Sequence, residues 1–294
     1  MTVKLGIIGG SGLYDFAEMQ EKKWLPRNEG PFGLPSDEIL FGKINETEVF
    51  FLPRHGRNHV YSPTTVPYKA NIDALKRLGC NVLISISAVG SLREDLTPGM
   101  FVIVDQFIDR TFAREKTFFD KEVVAHVSMA QPICTSTAKI VMKAAKNLSI
   151  KTVLGGTYLA MEGPQFSSYA ESQLYRSWGC DVIGMTNMPE AKLAREAEMR
   201  YTSVAMVTDF DCWHEAEGNV EVTDIIKVLN ENASNAKLLI KAFVENYKKN
   251  YSQEIIDGID NVLDTAIITQ NFSEETLKKC GLDAIASRII NEGE

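Results

Sequence analysis

S-V-A-M-V-T-D-F-D-C-W, residues 203–213, is the stretch on which the reading of this chain turns. Val204, Ala205, Met206 and Val207 form a short apolar run of the kind buried in a parallel sheet. Asp209 and Asp211 follow, with Phe210 between them. Side chains two apart on an extended chain point the same way. Both carboxylates are therefore expected to face one small object at the carboxyl end of a buried strand, where open α/β sheets hold their ligands. Two acids so close in a poorly solvated site tend to keep one proton between them. Such a pair offers one donor and one acceptor. Adenine shows the complement: N7 accepts and the N6 amino group donates. The protonated acid could also pass its proton to N7. Taken alone, the two residues fit a solvated acidic loop or a divalent-metal site better; the rest of the chain changes that.

Working outward, 294 residues allow one large domain or two ordinary ones. The composition, 45% hydrophobic and 24% charged, is that of a globular protein rather than a disordered or fibrous one. A net charge of −8 disfavours a nucleic-acid-binding surface and leaves room for a local basic pocket. No stretch reads as a signal peptide or membrane span, because the apolar runs are strand-length and broken by charges and glycines. Five scattered cysteines without metal-ligand spacing predict reduced thiols in the cytosol.

Several predicted strands end in residues suited to ligands. The first, residues 3–8, runs into a Gly-rich turn in which Ser11 adds a hydroxyl. Gly10-Ser11-Gly12 begins a dinucleotide fingerprint, but Asp15 stands where its third glycine belongs. A predicted hairpin, residues 38–43 and 47–52, ends in P-R-H-G-R-N-H. Its Arg54, His55, Arg57 and His59 suit an anion such as phosphate. Residues 81–92 read as a buried strand that breaks at Ser87-Ala88-Val89-Gly90. Residues 109–130 look irregular and contain His126; residues 152–160 read as one strand feeding M-E-G-P-Q-F-S-S, where Phe166 could stack on a base. Residues 181–185 read as a strand before T-N-M-P-E, with a helix from Pro189 to about residue 198. Residues 67–78, 136–148, 169–178 and 222–249 carry helical periodicity, and 255–263 and 274–290 look like two shorter helices. The expected architecture is one α/β domain, residues 1–250, with a central mixed, twisted sheet flanked by helices. A helical C-terminal extension, residues 251–294, follows.

Six motifs in this order, G-I-I-G-G-S-G-L, P-R-H-G-R-N-H, S-A-V-G-S-L-R-E, M-E-G-P-Q-F-S-S, M-T-N-M-P-E and V-T-D-F-D-C-W, resemble those of the 5′-methylthioadenosine phosphorylases, within the trimeric purine nucleoside phosphorylase family. The resemblance spans residues 3–249. It implies attack of inorganic phosphate on C1′ of methylthioadenosine, giving adenine and 5-methylthioribose 1-phosphate. Phosphate is then a co-substrate, and no metal or organic cofactor is expected. By motif position it implies phosphate contacts from Ser11, Arg54, His55, Ser87, Ala88 and Thr186, with serine at 11 and 87 where some relatives have threonine. Met185 would meet the ribose through its backbone. Phe166, Ser167, Ile183 and Phe210 would border the base, and His59, Val222 and Ile225 would line the 5′ pocket. His126 matches a histidine given across a subunit interface, which implies a trimer or a dimer of trimers. Asp209 and Asp211 would be the catalytic pair, a protonated Asp209 donating to N7 and an ionised Asp211 accepting from N6. Relatives that use 6-oxopurines carry asparagine at the first carboxylate, so Asp209 favours 6-aminopurines. The alternative within the family is a purine nucleoside phosphorylase acting on adenosine or on 6-oxopurine nucleosides, methylthioinosine included. An NAD-dependent oxidoreductase is disfavoured by the failed glycine spelling, and a non-catalytic nucleoside-binding protein by the phosphate ligands it would not need.

Overall fold

Burial on both faces explains why the central strands read as apolar runs rather than alternating patterns. In the computed structural model, residues 3–10, 13, 19–214, 222–250, 256 and 258–291 are described, with residues 222–226 and 248 as backbone only. Ser11 lies outside them. The first half of the chain gives β1 (Lys4–Gly9), β2 (Gln20–Leu25), β3 (Ile39–Ile44), β4 (Thr47–Pro53), α1 (Tyr68–Arg77), β5 (Val82–Ser91), β6 (Phe101–Val104) and β7 (Gln106–Asp109). Then come a small hairpin, β8 (Asp120–Lys121) and β9 (Val123–Val124), α2 (Thr135–Asn147), β10 (Thr152–Leu154), β11 (Thr157–Ala160), α3 (Tyr169–Ser177), β12 (Val182–Gly184), α4 (Asn187–Glu196) and β13 (Arg200–Asp209). The chain closes with α5 (Val222–Asn250), α6 (Leu263–Ala266), α7 (Glu274–Lys279) and α8 (Ser287–Asn291).

Eleven strands form one mixed sheet along the path β10-β6-β13-β5-β1-β4-β3-β2, as expected. β1 pairs in parallel with β4 and β5, so three strand ends open on the same edge. β5 does not break at Ser87, as its small residues suggest. It continues to Ser91, with Val82 to Gly90 alongside β13 in parallel and Gly90 and Ser91 paired antiparallel with β12. That second pairing starts a side branch, β12-β11-β7. Small residues at 87–90 therefore mark a strand that continues beside β13 and meets β12 at Gly90, rather than a strand end.

Other boundaries also differ from the sequence reading. Residues 152–160 split into β10 and β11, because Gly155 and Gly156, at φ +95° and +142°, turn the chain between two branches of the sheet. β2 is a mostly exposed edge strand without an apolar face to reveal it. α4 starts at Asn187 rather than Pro189, with Met188 out of helical geometry inside it. Residues 258–262 are turn where a helix over 255–263 was expected, α6 beginning only at Leu263, and residues 274–290 form two short helices rather than one. Leu263, Leu277, Leu282 and Ile285 of this segment join the main core. Asp260 pairs with Arg200, Asp283 with Arg77, and Arg288 with Glu198. Among the described residues, no helix is long and apolar enough to cross a membrane.

β12 passes close to β11 only because residue 184 is glycine: a Cβ there would lie 2.0 Å from the Tyr158 hydroxyl. Tyr158 is fully buried and cannot swing away. Gly184→Ala is therefore expected to lower unfolding free energy by ~1–3 kcal/mol, the usual scale of overpacking, measured by urea denaturation.

Candidate active site

The ends of β1, β4, β5, β12 and β13 enclose one cavity of about 340 Å³. At one end stands Arg54, placed by the last turn of backbone after β4 and 1% exposed. Its Nε donates to Glu190 Oε2 at 2.9 Å, Nη2 to Ser85 Oγ at 2.7 Å, and Nη1 to the Ile86 carbonyl at 3.0 Å. Tyr201 adds a hydrogen bond to Glu190 Oε1 at 3.0 Å. Burial works against the Arg54 cation, but Glu190 overcomes it and holds the guanidinium charged. Arg54 is thus a buried structural ion pair as well as a wall of the cavity, with one Nη1 hydrogen left for a ligand.

His55 follows. Its Nδ1 lies 2.8 Å from the Tyr61 carbonyl, which can only accept, so Nδ1 carries the hydrogen and neutral His55 keeps a lone pair on Nε2. Burial, then the neighbouring Arg54 charge, pushes its pKa down to about 4. His59 stacks on it, ring centroids 4.4 Å apart. Ser87 donates its hydroxyl hydrogen to Asn187 Oδ1 at 3.1 Å, and Asn187 donates in turn to Ser203. Toward the cavity Ser87 therefore offers an acceptor. Thr186 also lines this end, and its buried Oγ1 has no hydrogen-bond partner among the described residues. An unsatisfied buried hydroxyl costs about 1–3 kcal/mol, a cost that an anionic oxygen placed there would relieve.

At the other end the two aspartates converge, though not along an extended strand. Asp209 ends β13, while Asp211 opens a single 3₁₀ turn, Asp211–Trp213, at φ +52°. Trp213 ties that turn to β5 by donating to the Ser91 carbonyl at 2.8 Å. Gly90 makes room: a Cβ there would stand 3.0 Å from Asp209 Oδ2 and 3.4 Å from Asp211 Cβ. Asp209 accepts from Thr208 Oγ1 at 2.6 Å and from the Asp211 amide at 2.9 Å. Burial raises the Asp211 pKa, and its buried Oδ2 has no hydrogen-bond partner among the described residues.

Arg54, His55, His59, Ser87, Ala88, Phe166, Ile183, Met185, Thr186, Asp209 and Asp211 all line this one cavity. Four expected residues do not, the first being Arg57, which pairs with Asp37 and Glu38 instead. Phe210 turns away, stacked on His214 and edge-on to Trp213. Ser167 lies behind the wall with its hydroxyl against Met161 Sδ. His126 is exposed, its amide bonded to the Ala266 carbonyl. The side chains of Val222 and Ile225 lie outside the described residues. Leu229, one turn after Ile225 on α5, does line the cavity, as do Met206, Thr208 and Met161. Leu229 continues the helical step from Val222 and Ile225, a signal the sequence carried. Among the described residues no group of three His, Cys, Asp or Glu gathers as a metal site.

The family model described as the phosphorylase superfamily matches residues 4–245. S-methyl-5′-thioadenosine phosphorylases of Cereibacter sphaeroides and Rhodospirillum rubrum are 52% and 54% identical to the chain, over 99% and 97% of both lengths. A methylthioadenosine phosphorylase structure from an antarctic soil metagenomic library has a TM-score of 0.89 at 46% identity, covering 97% of this chain and 99% of its own. The Schistosoma mansoni methylthioadenosine phosphorylase in complex with adenine has a TM-score of 0.79 at 36% identity, covering 85% and 95%.

Two substitutions at the same end of the cavity should act oppositely on folding. Arg54→Met strands Glu190 without its cation and is expected to cost ~3–5 kcal/mol, as broken buried pairs do. Thr186→Val removes a buried hydroxyl that has no hydrogen-bond partner among the described residues and should leave the free protein as stable or slightly more so, while weakening anion binding. Chemical denaturation with and without phosphate separates the two effects.

Proposed function

The chain belongs to the phosphorylase superfamily, and we propose that it catalyses phosphorolysis of 5′-methylthioadenosine to adenine and 5-methylthioribose 1-phosphate. One observation carries this reading: the buried Arg54 and the Thr186 hydroxyl, which has no hydrogen-bond partner among the described residues, share a single cavity with the Asp209–Asp211 pair. Phosphate occupies the first end, held by Arg54, His55, Ser87, Ala88, Thr186 and Ser11. The purine occupies the second, beside Phe166 and Ile183, with the Met185 backbone against the ribose. A phosphate oxygen bonds to C1′ as the bond from C1′ to the purine nitrogen breaks, and that electron pair leaves with the base. Positive charge grows on the sugar next to the phosphate, and the proton held by the aspartates passes to N7. The other carboxylate accepts from the N6 amino group. Phosphate is a co-substrate, and no cofactor enters.

His59 and Leu229 line the part of the cavity that this reading gives to the methylthio group, and the reaction would serve methionine and purine salvage. Residues 1–250 would form the catalytic domain and 251–294 a C-terminal extension, of which Leu263, Leu277, Leu282 and Ile285 pack into the main core. The exposed His126, together with the exposed Phe112 and Phe166, supports a homotrimer, or a dimer of trimers, in which neighbours complete each other's sites. Five free cysteines fit a reducing cytoplasm.

Adenine release from methylthioadenosine is expected to depend on phosphate; equal rates without it would make the enzyme a hydrolase. Methylthioinosine replaces the N6 donor with an oxygen that faces a carboxylate. A site built to hydrogen-bond a substrate group can reject such an analogue by ~10⁴-fold, so kcat/KM should fall by about that factor. Asp209→Asn and Asp211→Asn each remove an ionisable member of the pair. The variant that loses the proton donor should lose ~10²–10⁴-fold in kcat, and wild-type kcat in both would remove the acid from the mechanism. Sedimentation of the active enzyme checks the assembly, for which a fully active monomer is the contrary result.

A further inference from the structure

Arg114 and Glu162 lie outside the cavity wall, yet between them they touch most of the segments that build it. Their side chains are 1% and 9% exposed, and Arg114 Nε donates to Glu162 Oε1 at 3.1 Å. Arg114 Nη1 donates to the carbonyls of Met185 and Met188, each at 2.6 Å, and to the Tyr68 hydroxyl at 3.0 Å. Nη2 donates to the Glu162 carbonyl at 2.7 Å. Glu162 in turn accepts from the Thr64 hydroxyl at 2.6 Å and from the amides of Phe112 and Ala113 at 2.6 and 3.2 Å.

One ion pair thus gathers four chain segments: the loop after β4 through Thr64, the loop after β7, the loop after β11, and the turn from Met185 to Met188. That turn is irregular, with Met188 at φ −118° and ψ +130° inside the first turn of α4. A second constraint on Met185 comes from Gly163, at φ +67°, where a Cβ would stand 2.4 Å from Met185 Sδ. Met185 is held by its carbonyl on Arg114 and by its side chain over the residue next to Glu162.

We infer that Arg114 and Glu162 are positioning residues, which set the Met185 backbone and the Thr186 hydroxyl at the distance from the loop after β4 that the reaction requires. The inference rests on the phosphorolysis reading above. Neither residue touches the reacting atoms; each acts through the turn it holds. Charge-assisted hydrogen bonds such as those onto the Met185 and Met188 carbonyls are the strong kind. A shift of about 1 Å in a positioning element can cost ~10²-fold in rate. Burial disfavours the Glu162 carboxylate, but the donors from Thr64, Phe112, Ala113 and Arg114 outweigh it and hold its pKa at about 2. The clasp therefore stays charged across the whole range in which the enzyme can be assayed, and it loosens only in strong acid.

The test compares full-length wild type, Glu162→Gln and Arg114→Lys in steady-state release of adenine from methylthioadenosine, with phosphate varied. Melting curves of the same samples establish that each is folded at the assay temperature. Failure of the wild type to release adenine would refute the phosphorolysis reading and, with it, the premise here. With an active wild type, both folded variants are expected to lose at least ~10-fold in kcat. Their KM for phosphate should also rise, because Thr186 moves with the turn. A purely structural pair would lower the melting temperature and leave kcat and phosphate KM within twofold of wild type, which would overturn the inference. Should neither variant fold, Thr64→Val carries the test, since it removes only the hydroxyl that ties the loop after β4 to Glu162. A several-fold rise in phosphate KM supports the clasp, and unchanged kinetics overturn it.

Discussion

The buried pairing of Arg54 with Glu190 is the interaction on which the site depends. Two opposite charges taken out of water are stable only when their remaining hydrogen-bonding groups are also met. Here Ser85 and the Ile86 carbonyl serve Arg54, and Tyr201 serves Glu190. Those partners come from β5 and β13, while the charges come from the end of β4 and from α4. Four elements are thereby fixed around one point beneath the cavity floor. The sheet determines where the charges sit, and the charges keep the ends of that sheet in register with the helix.

The anion end of an acidic chain is built from such local devices rather than from net charge. Arg54 is neutralised by Glu190 before any ligand arrives, and His55 is held neutral by burial and by Arg54 itself. What the cavity offers is a directed N–H, a lone pair on His55, and the Thr186 hydroxyl. Hydrogen-bond direction, more than positive potential, defines this surface. The base end follows the same logic, since Thr208 and the Asp211 amide prepare Asp209 as an acceptor.

Much of this was legible in the sequence because each ligand-bearing residue follows an apolar run that could only be a buried strand. Val204 to Val207 announced Asp209, and the run before Pro53 announced Arg54 and His55. Contacts between distant segments were not legible. Asp211 reaches the cavity through a left-handed turn held by Trp213, not through strand alternation, and nothing local to D-F-D encodes that bond to Ser91. Phe210 was misplaced for the same reason. Ser87 to Gly90 looks like a break because small residues often mark a strand end, whereas the strand runs on beside β13 and gains β12 at Gly90 and Ser91. Arg114 and Glu162 stood among ordinary charged residues; only tertiary contact distinguishes them.

β5 also acts as a length standard. Ser87 and Ala88 line the anion end, and Gly90 underlies the two aspartates. Extended backbone rises by about 3.3 Å per residue, so the separation of the ends is set by covalent geometry, at roughly 10 Å over three residues. Side-chain substitution can change what either end recognises without altering that interval. Changing the interval itself takes an insertion or deletion, which would turn every following side chain to the opposite face. Chemical selectivity at the two ends is therefore free to drift in evolution, while the span between them is inherited with the strand.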